Sequence, residues 1–143
     1  MKQSSLSQSQ LGIYLGSAYR EDLAYHIAYA FRFSADTDPE RLQAAVRKVL
    51  ACHPAFNVAI ATDENGEARM EWDGVTLPDV PVRTATDAEF EEIKAGVLSH
   101  IDVPGDRMCR LEVIRAESHV WLTMVIHHII YDGSSMRVFL RDL

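Results

Sequence analysis

In "VIHHIIYDGSS", residues 125–135, two adjacent histidines close an apolar run, and Asp132 and Gly133 follow a few residues later. Imidazole is the side chain whose ordinary charge change falls between pH 5 and 8, so a positioned histidine can take up and return a proton near neutrality. If His127 and His128 end a strand, they point to opposite faces, and only one can look into a given cleft. The other is then scaffold. Asp132 and Gly133 read as a sharp turn into a helix, which brings a carboxylate back towards the histidine backbone.

Other chemistries fit these residues less well. Two histidines and an aspartate match a two-His-one-carboxylate metal site in composition, but neighbouring strand residues diverge, and no metal is expected. A serine hydrolase lacks its GxSxG elbow, and Ser134 and Ser135 serve most simply to cap the last helix. Cys52 and His53 are sequence neighbours, which rarely have nucleophile–base geometry, and Cys52 near a helix end reads as packing. The bland alternative for the histidine pair is two satisfied core or turn residues.

The elements that must place these groups follow from periodicity. The segment from about 119 to 127 is apolar on both faces, with Val120, Leu122, Met124 and Ile126 against Trp121, Thr123 and Val125, so a central strand is expected. A partner strand runs from Cys109 to Ala116, joined to it by a polar turn at Glu117 and Ser118. "YHIAYAFRFS" alternates Ile27, Tyr29, Phe31 and Phe33 against Ala28, Ala30 and Arg32, a strand with one heavy face. Phe56 to Trp72 reads as two strands about "TDENGE", where Asn65 and Gly66 suit a tight turn. Pro78 and Pro81 keep the next stretch extended or at a sheet edge.

Helices are expected from about Ser7 to Ser17, from the Asp36–Asp38–Pro39 start through Leu42, Ala45, Val46, Val49 and Leu50, and from a Thr86 or Asp87 cap through Phe90, Ile93, Val97 and Leu98. A last helix starts near Ser134. "IDVPGD" breaks the chain before the two final strands. Strands interleaved with single helices imply an α/β (α+β) two-layer sandwich, a mixed sheet with helices packed on it. The last helix gathers apolar residues where the sequence stops, which suggests a fragment of something longer.

With 143 residues, 48% of them hydrophobic, the chain can bury one domain core. A net charge of -7 argues against nucleic acid or an anionic membrane as partner. Two cysteines without CxxC spacing and the lack of an apolar leader make the cytoplasm the expected compartment.

"HHIIYDG" has the form HHxxxDG and resembles the active-site motif of the chloramphenicol acetyltransferase-like superfamily. "LSQSQLGIYL" is similar to the first core motif of condensation domains of nonribosomal peptide synthetases. "YHIAYAFRF", "DPERLQAAVRKVLACHPAF" and "IDVPGDRMCRLEVIR" resemble the segments between, in the same order along the whole chain. The resemblance implies amide-bond formation between two carrier-bound thioesters, with His128 at the active site as base or as a positioning group. It implies that His127 is architectural, that Asp132 organises the turn through an arginine ion pair, and that Gly133 allows close approach of substrate. No cofactor is expected to be bound covalently; phosphopantetheine arms would come from donor and acceptor peptidyl carrier proteins. "DGSS" does not resemble the serine loop that accepts such an arm, so the chain is not expected to be a carrier itself.

The second family motif reads like "RHExLR", whereas this chain has "CHPAFN", with Cys52 and Asn57 at the arginine positions. Arg110 is then the substitute expected to pair with Asp132, a plain surface ion pair being its alternative. Family members contain two lobes in a V, so residues 1–143 are expected to form the N-terminal lobe of a condensation domain, the C-terminal lobe absent. The isolated lobe is expected to be inactive and to self-associate through apolar surface. An intact HHxxxDG argues against heterocyclisation. Epimerisation, a stand-alone acyltransferase and a degenerate docking domain for carrier proteins remain as alternatives.

Overall fold

The computed structural model describes residues 2–18, 20–72, 76–105 and 107–143. The chain runs β1 (Gln3–Ser5), α1 (Gln8–Ala18), β2 (His26–Phe33), α2 (Pro39–Cys52), a 3-10 turn (Pro54–Asn57), β3 (Ala59–Thr62), β4 (Ala68–Glu71), β5 (Val82–Thr84), α3 (Asp87–Ala95), β6 (Cys109–Arg115), β7 (Val120–His127) and α4 (Gly133–Asp142). A four-stranded mixed sheet has the order β2-β7-β6-β5, with only the β5–β6 pair parallel, and a small antiparallel sheet has the order β1-β4-β3. The fold is α/β, as expected, and β7 is central as its two-sided hydrophobicity requires.

Residue alternation in β7 divides the interior. Val120, Leu122, Met124 and Ile126 face α2 and α4, where they meet Leu42, Val46, Val49, Leu50 and Phe139. Each large apolar side chain fully buried there contributes about 1.5–3 kcal/mol before chain entropy is counted. The opposite face is covered in two patches. Val125 joins Ile101, Met108, Ile129 and the small sheet's Ile60 and Met70, with Ile13 and Tyr14 of α1 packed alongside. Trp121 stacks on Phe90 of α3 with ring centroids 4.3 Å apart.

Helix starts follow local chemistry. Asp38 caps α2 by accepting from the N–H groups of Glu40 and Arg41, with Pro39 at the first helical position. For α3 the cap is Thr86, in a reciprocal box with Glu89. Asp87 instead accepts from Ser118 and so ties α3 to the β6–β7 turn.

Several boundaries differ from expectation. α3 stops at Ala95 because Gly96 caps it, leaving Leu98 exposed rather than helical. Phe56 lies in the 3-10 turn that Pro54 initiates, so the first strand of the hairpin starts later, at Ala59. Cys52 is exposed at the end of α2 and does not pack. The break at "IDVPGD" ends on Asp106, outside the described residues.

Candidate active site at the end of β7

His127 closes β7 with its ring fully enclosed, 0% exposed, whereas His128 is exposed. The four N–H groups of residues 127–130 are all engaged, as a turn leaving the core requires. His127 donates to the carbonyl of Met108 (2.8 Å), His128 to that of Tyr25 (2.8 Å), and Ile130 to that of His127 (3.2 Å). The fourth donor, Ile129 N–H, is bound by the His127 ring itself, at Nδ1 (3.1 Å). Because Nδ1 accepts, the neutral ring carries its proton on Nε2, which donates to Ser17 Oγ at 3.2 Å. Burial, assisted by the neighbouring histidines His26, His128 and His100, pushes the His127 pKa down to about 4. A neutral imidazole with both nitrogens occupied has no lone pair to offer a substrate.

His128 is different. The residue is exposed and lines an open depression of about 410 Å³ together with Ser7, Gln10, Ile13, Tyr131 and Asp132. Asp132 caps α4: its carboxylate accepts from the N–H and the hydroxyl of Ser135, both at 2.8 Å, and Ser135 Oγ accepts from Asp132 N–H at 3.2 Å. These bonds hold the Asp132 carboxyl below the usual carboxylate range. At Gly133 an added Cβ would meet no atom within 4 Å, so the missing side chain leaves open space rather than relieving a clash.

The expected pairing of Asp132 with Arg110 is not formed. Arg110 lies on β6 and its guanidinium donates to Ser99 Oγ (2.9 Å) and to the His100 carbonyl (2.6 Å), while Ser135 takes up Asp132. The reason is local: a carboxylate at the N-cap of a helix finds free N–H groups within the first turn, with no arginine required. His53, next to exposed Cys52, binds Asp142 through Nε2 (2.8 Å) and links the ends of α2 and α4. Among the described residues no group of three or more His, Cys, Asp or Glu side chains is arranged to hold a metal ion.

α1 starts where Ser7 was expected to open it, and it supplies two further contacts that sequence reasoning did not assign. Ser7 and Gln10 form a reciprocal cap, Gln10 N–H to Ser7 Oγ (3.2 Å) and Ser7 N–H to Gln10 Oε1 (3.0 Å). The same Gln10 amide donates through Nε2 to the Ile129 carbonyl (3.1 Å). The S-x-x-Q spacing signals the cap. Nothing local signals the second bond, 119 residues away, or the contact of Ser17 with His127.

The chain matches the family model described as "Condensation domain" over residues 2–143. It is 29% identical over 142 residues to bacitracin synthase 3 of Bacillus licheniformis, covering 97% of this chain and 2% of that protein. It is 30% identical over 148 residues to N-(5-amino-5-carboxypentanoyl)-L-cysteinyl-D-valine synthase of Amycolatopsis lactamdurans, covering 97% of this chain and 4% of that one. In fold it resembles the starter condensation domain of rhizomide synthetase RzmA, with a TM-score of 0.84 at 18% identity over 99% of this chain and 38% of the other. The condensation domain from monacolin K polyketide synthase MokA also gives 0.84, at 21% identity over 99% of this chain and 33% of that one. The chain thus spans about a third of these solved chains and a few per cent of the two synthases.

Proposed function

Since the chain belongs to the condensation-domain family of peptide-synthetase-type enzymes, we propose that it is the N-terminal lobe of a domain that joins two carrier-bound thioesters through an amide bond, with His128 as its catalytic residue. The observation that supports this most is the division of labour at the end of β7: His127 is consumed in holding the turn, and His128 is left exposed at the edge of an open depression.

In the reaction the acceptor's amine nitrogen bonds to the donor's thioester carbon, the C–S bond breaks, and the sulfur leaves as a thiolate. His128 takes the proton that the attacking nitrogen must shed and returns it to the leaving sulfur. Proton transfer of this kind contributes about 10²–10⁴ in rate, and holding both reactants in line can contribute more. Asp132 fixes the start of α4 beneath the depression, and Gly133 leaves room for the substrate chain. Donor and acceptor carrier proteins bring the reactants on phosphopantetheine arms, and the second lobe supplies the opposite wall. A cytoplasmic setting belongs to the same reading, and no described helix is long and apolar enough to cross a membrane.

The test is amide formation by the complete domain with loaded carriers, followed by mass spectrometry. His128→Ala should lower the rate by about 100-fold or more; an unchanged rate would remove His128 from the mechanism. Inverted stereochemistry without a new amide would point to epimerisation, and acyl transfer from a soluble thioester to a stand-alone acyltransferase. A second reading, a docking domain without catalysis, is favoured by Cys52 and Asn57 in place of arginines. It is also favoured by likeness to the X-domain from teicoplanin biosynthesis (TM-score 0.83 at 23% identity), solved in complex with OxyB. It expects no amide from either protein, wild type or variant.

A further inference from the structure

We propose that Ser17 is a positioning residue for His128, acting through the ring of His127; this rests on the reading of His128 as catalytic. α1 has no fully buried residue and exposes Leu11 and Leu15, so apolar packing alone holds it weakly against the rest of the lobe. Two polar ties supplement that packing. Gln10 in the first turn reaches the Ile129 carbonyl, and Ser17 in the last turn meets His127 Nε2. The two positions are seven residues apart, two helical turns, so both side chains leave one face of α1 about 10 Å apart along its axis.

The contact with Ser17 determines the state of the ring. Among the described residues it is the one hydrogen bond at Nε2, as Ile129 N–H is the one at Nδ1. His26 and Tyr25 flank the ring with centroids 5.1 and 6.4 Å away, and neither hydrogen-bonds to it. Without the Ser17 hydroxyl the proton on Nε2 is buried and unpaired, a costly state. The ring can escape by moving the proton to Nδ1, but Nδ1–H then faces Ile129 N–H, donor against donor. Either outcome loosens the turn in which His128 is the second residue. Serine thereby couples the end of α1 to the direction in which the neighbouring imidazole is presented.

The experiment reads the His127 tautomer in the ¹⁵N-labelled chain by long-range ¹H–¹⁵N correlation at neutral pH, together with amide exchange at Ile129 and Ile130. Wild type should show the Nε2–H form and slow exchange. Ser17→Ala should show Nδ1–H or a mixture, with exchange at Ile129 faster by about tenfold or more, and Ser17→Thr should restore both. In the complete domain Ser17→Ala should lower condensation by about tenfold or more, mainly in kcat, and Ser17→Thr should rescue it. A wild-type ring carrying its proton on Nδ1 overturns the proposal even if no variant folds. So does a Ser17→Ala protein with an unchanged tautomer, or one with a switched tautomer and full activity. If His128→Ala is fully active, the functional reading has failed and the positioning role falls with it; the tautomer result still stands as chemistry of the fold.

Discussion

A strand turns successive side chains to opposite faces, and at the end of β7 this sends one imidazole inward and leaves the next exposed. The stability consequences are opposite. His128→Ala removes an exposed ring and should leave urea stability within about 0.5 kcal/mol of wild type, so that its effect on condensation reads as chemistry. His127→Phe fills the volume but strands the Ile129 N–H and Ser17, and should cost about 3 kcal/mol in the same measurement. The sign of the pH dependence follows from the depressed pKa of His127, about 4 in the fold against 6.5 when exposed. Between those values the unfolded chain binds more protons, so the contribution is complete above pH 6.5 and declines as pH falls to 4, by about 3 kcal/mol. His26, whose pKa burial also lowers, acts in the same direction. The carboxylates of Asp38, Asp87 and Asp132, held down by hydrogen bonds, weaken the fold only below their ordinary value of 3.8. Urea midpoints measured from pH 7.5 to 4.5 should therefore fall, and a His127→Gln protein should show a flatter profile.

At the scale of elements, a helix is placed by its cap and its stripe together. α2 shows both: Asp38 and Pro39 set its start, and Leu42, Val46, Val49 and Leu50 form the stripe that meets β7. Asp38→Ala should lower stability by about 1 kcal/mol in thermal or urea unfolding, with the sheet unchanged by circular dichroism. Such elements were legible from sequence because their signals lie within one or two turns of chain. The short β3 and β4 were read from the turn between them, and the stretch after Pro81 is at a sheet edge as expected, but the pairings of β5 and β1 were not legible. β5 is three residues behind Pro81 and exists because Val82–Thr84 pairs with β6, thirty-one positions along. β1, three polar residues, is a strand only through its register with β4. Neither has enough length for a period to show.

For the whole molecule, the chain's span of about a third of the solved condensation domains bears on activity. The 143-residue chain alone should form no amide from loaded carriers, while the complete domain should. Detection of product by mass spectrometry from the 143-residue chain alone would overturn this expectation. Leu11 and Leu15, 43% and 48% exposed on α1, should drive self-association at high concentration, and a strictly monomeric sedimentation profile would count against it.

The cap of α4 is Asp132 rather than the expected Ser134 or Ser135, but the order of the major elements, the central strand, the caps of α2 and α3 and the opposite facing of the two histidines were determined by the sequence itself. Each rests on alternation, helical period or a side chain reaching backbone a few residues away. The closing of Asp132 on Ser135 rather than Arg110 was decided in the fold by proximity, since a helix start presents free N–H groups within three residues. The joining of Gln10 to Ile129 and of Ser17 to His127 required tertiary structure, because these partners lie more than a hundred residues apart and meet only once α1 docks beside β7. Hydrogen bonds are short-ranged, and no pattern along a chain encodes which distant donor the fold will bring within hydrogen-bonding reach.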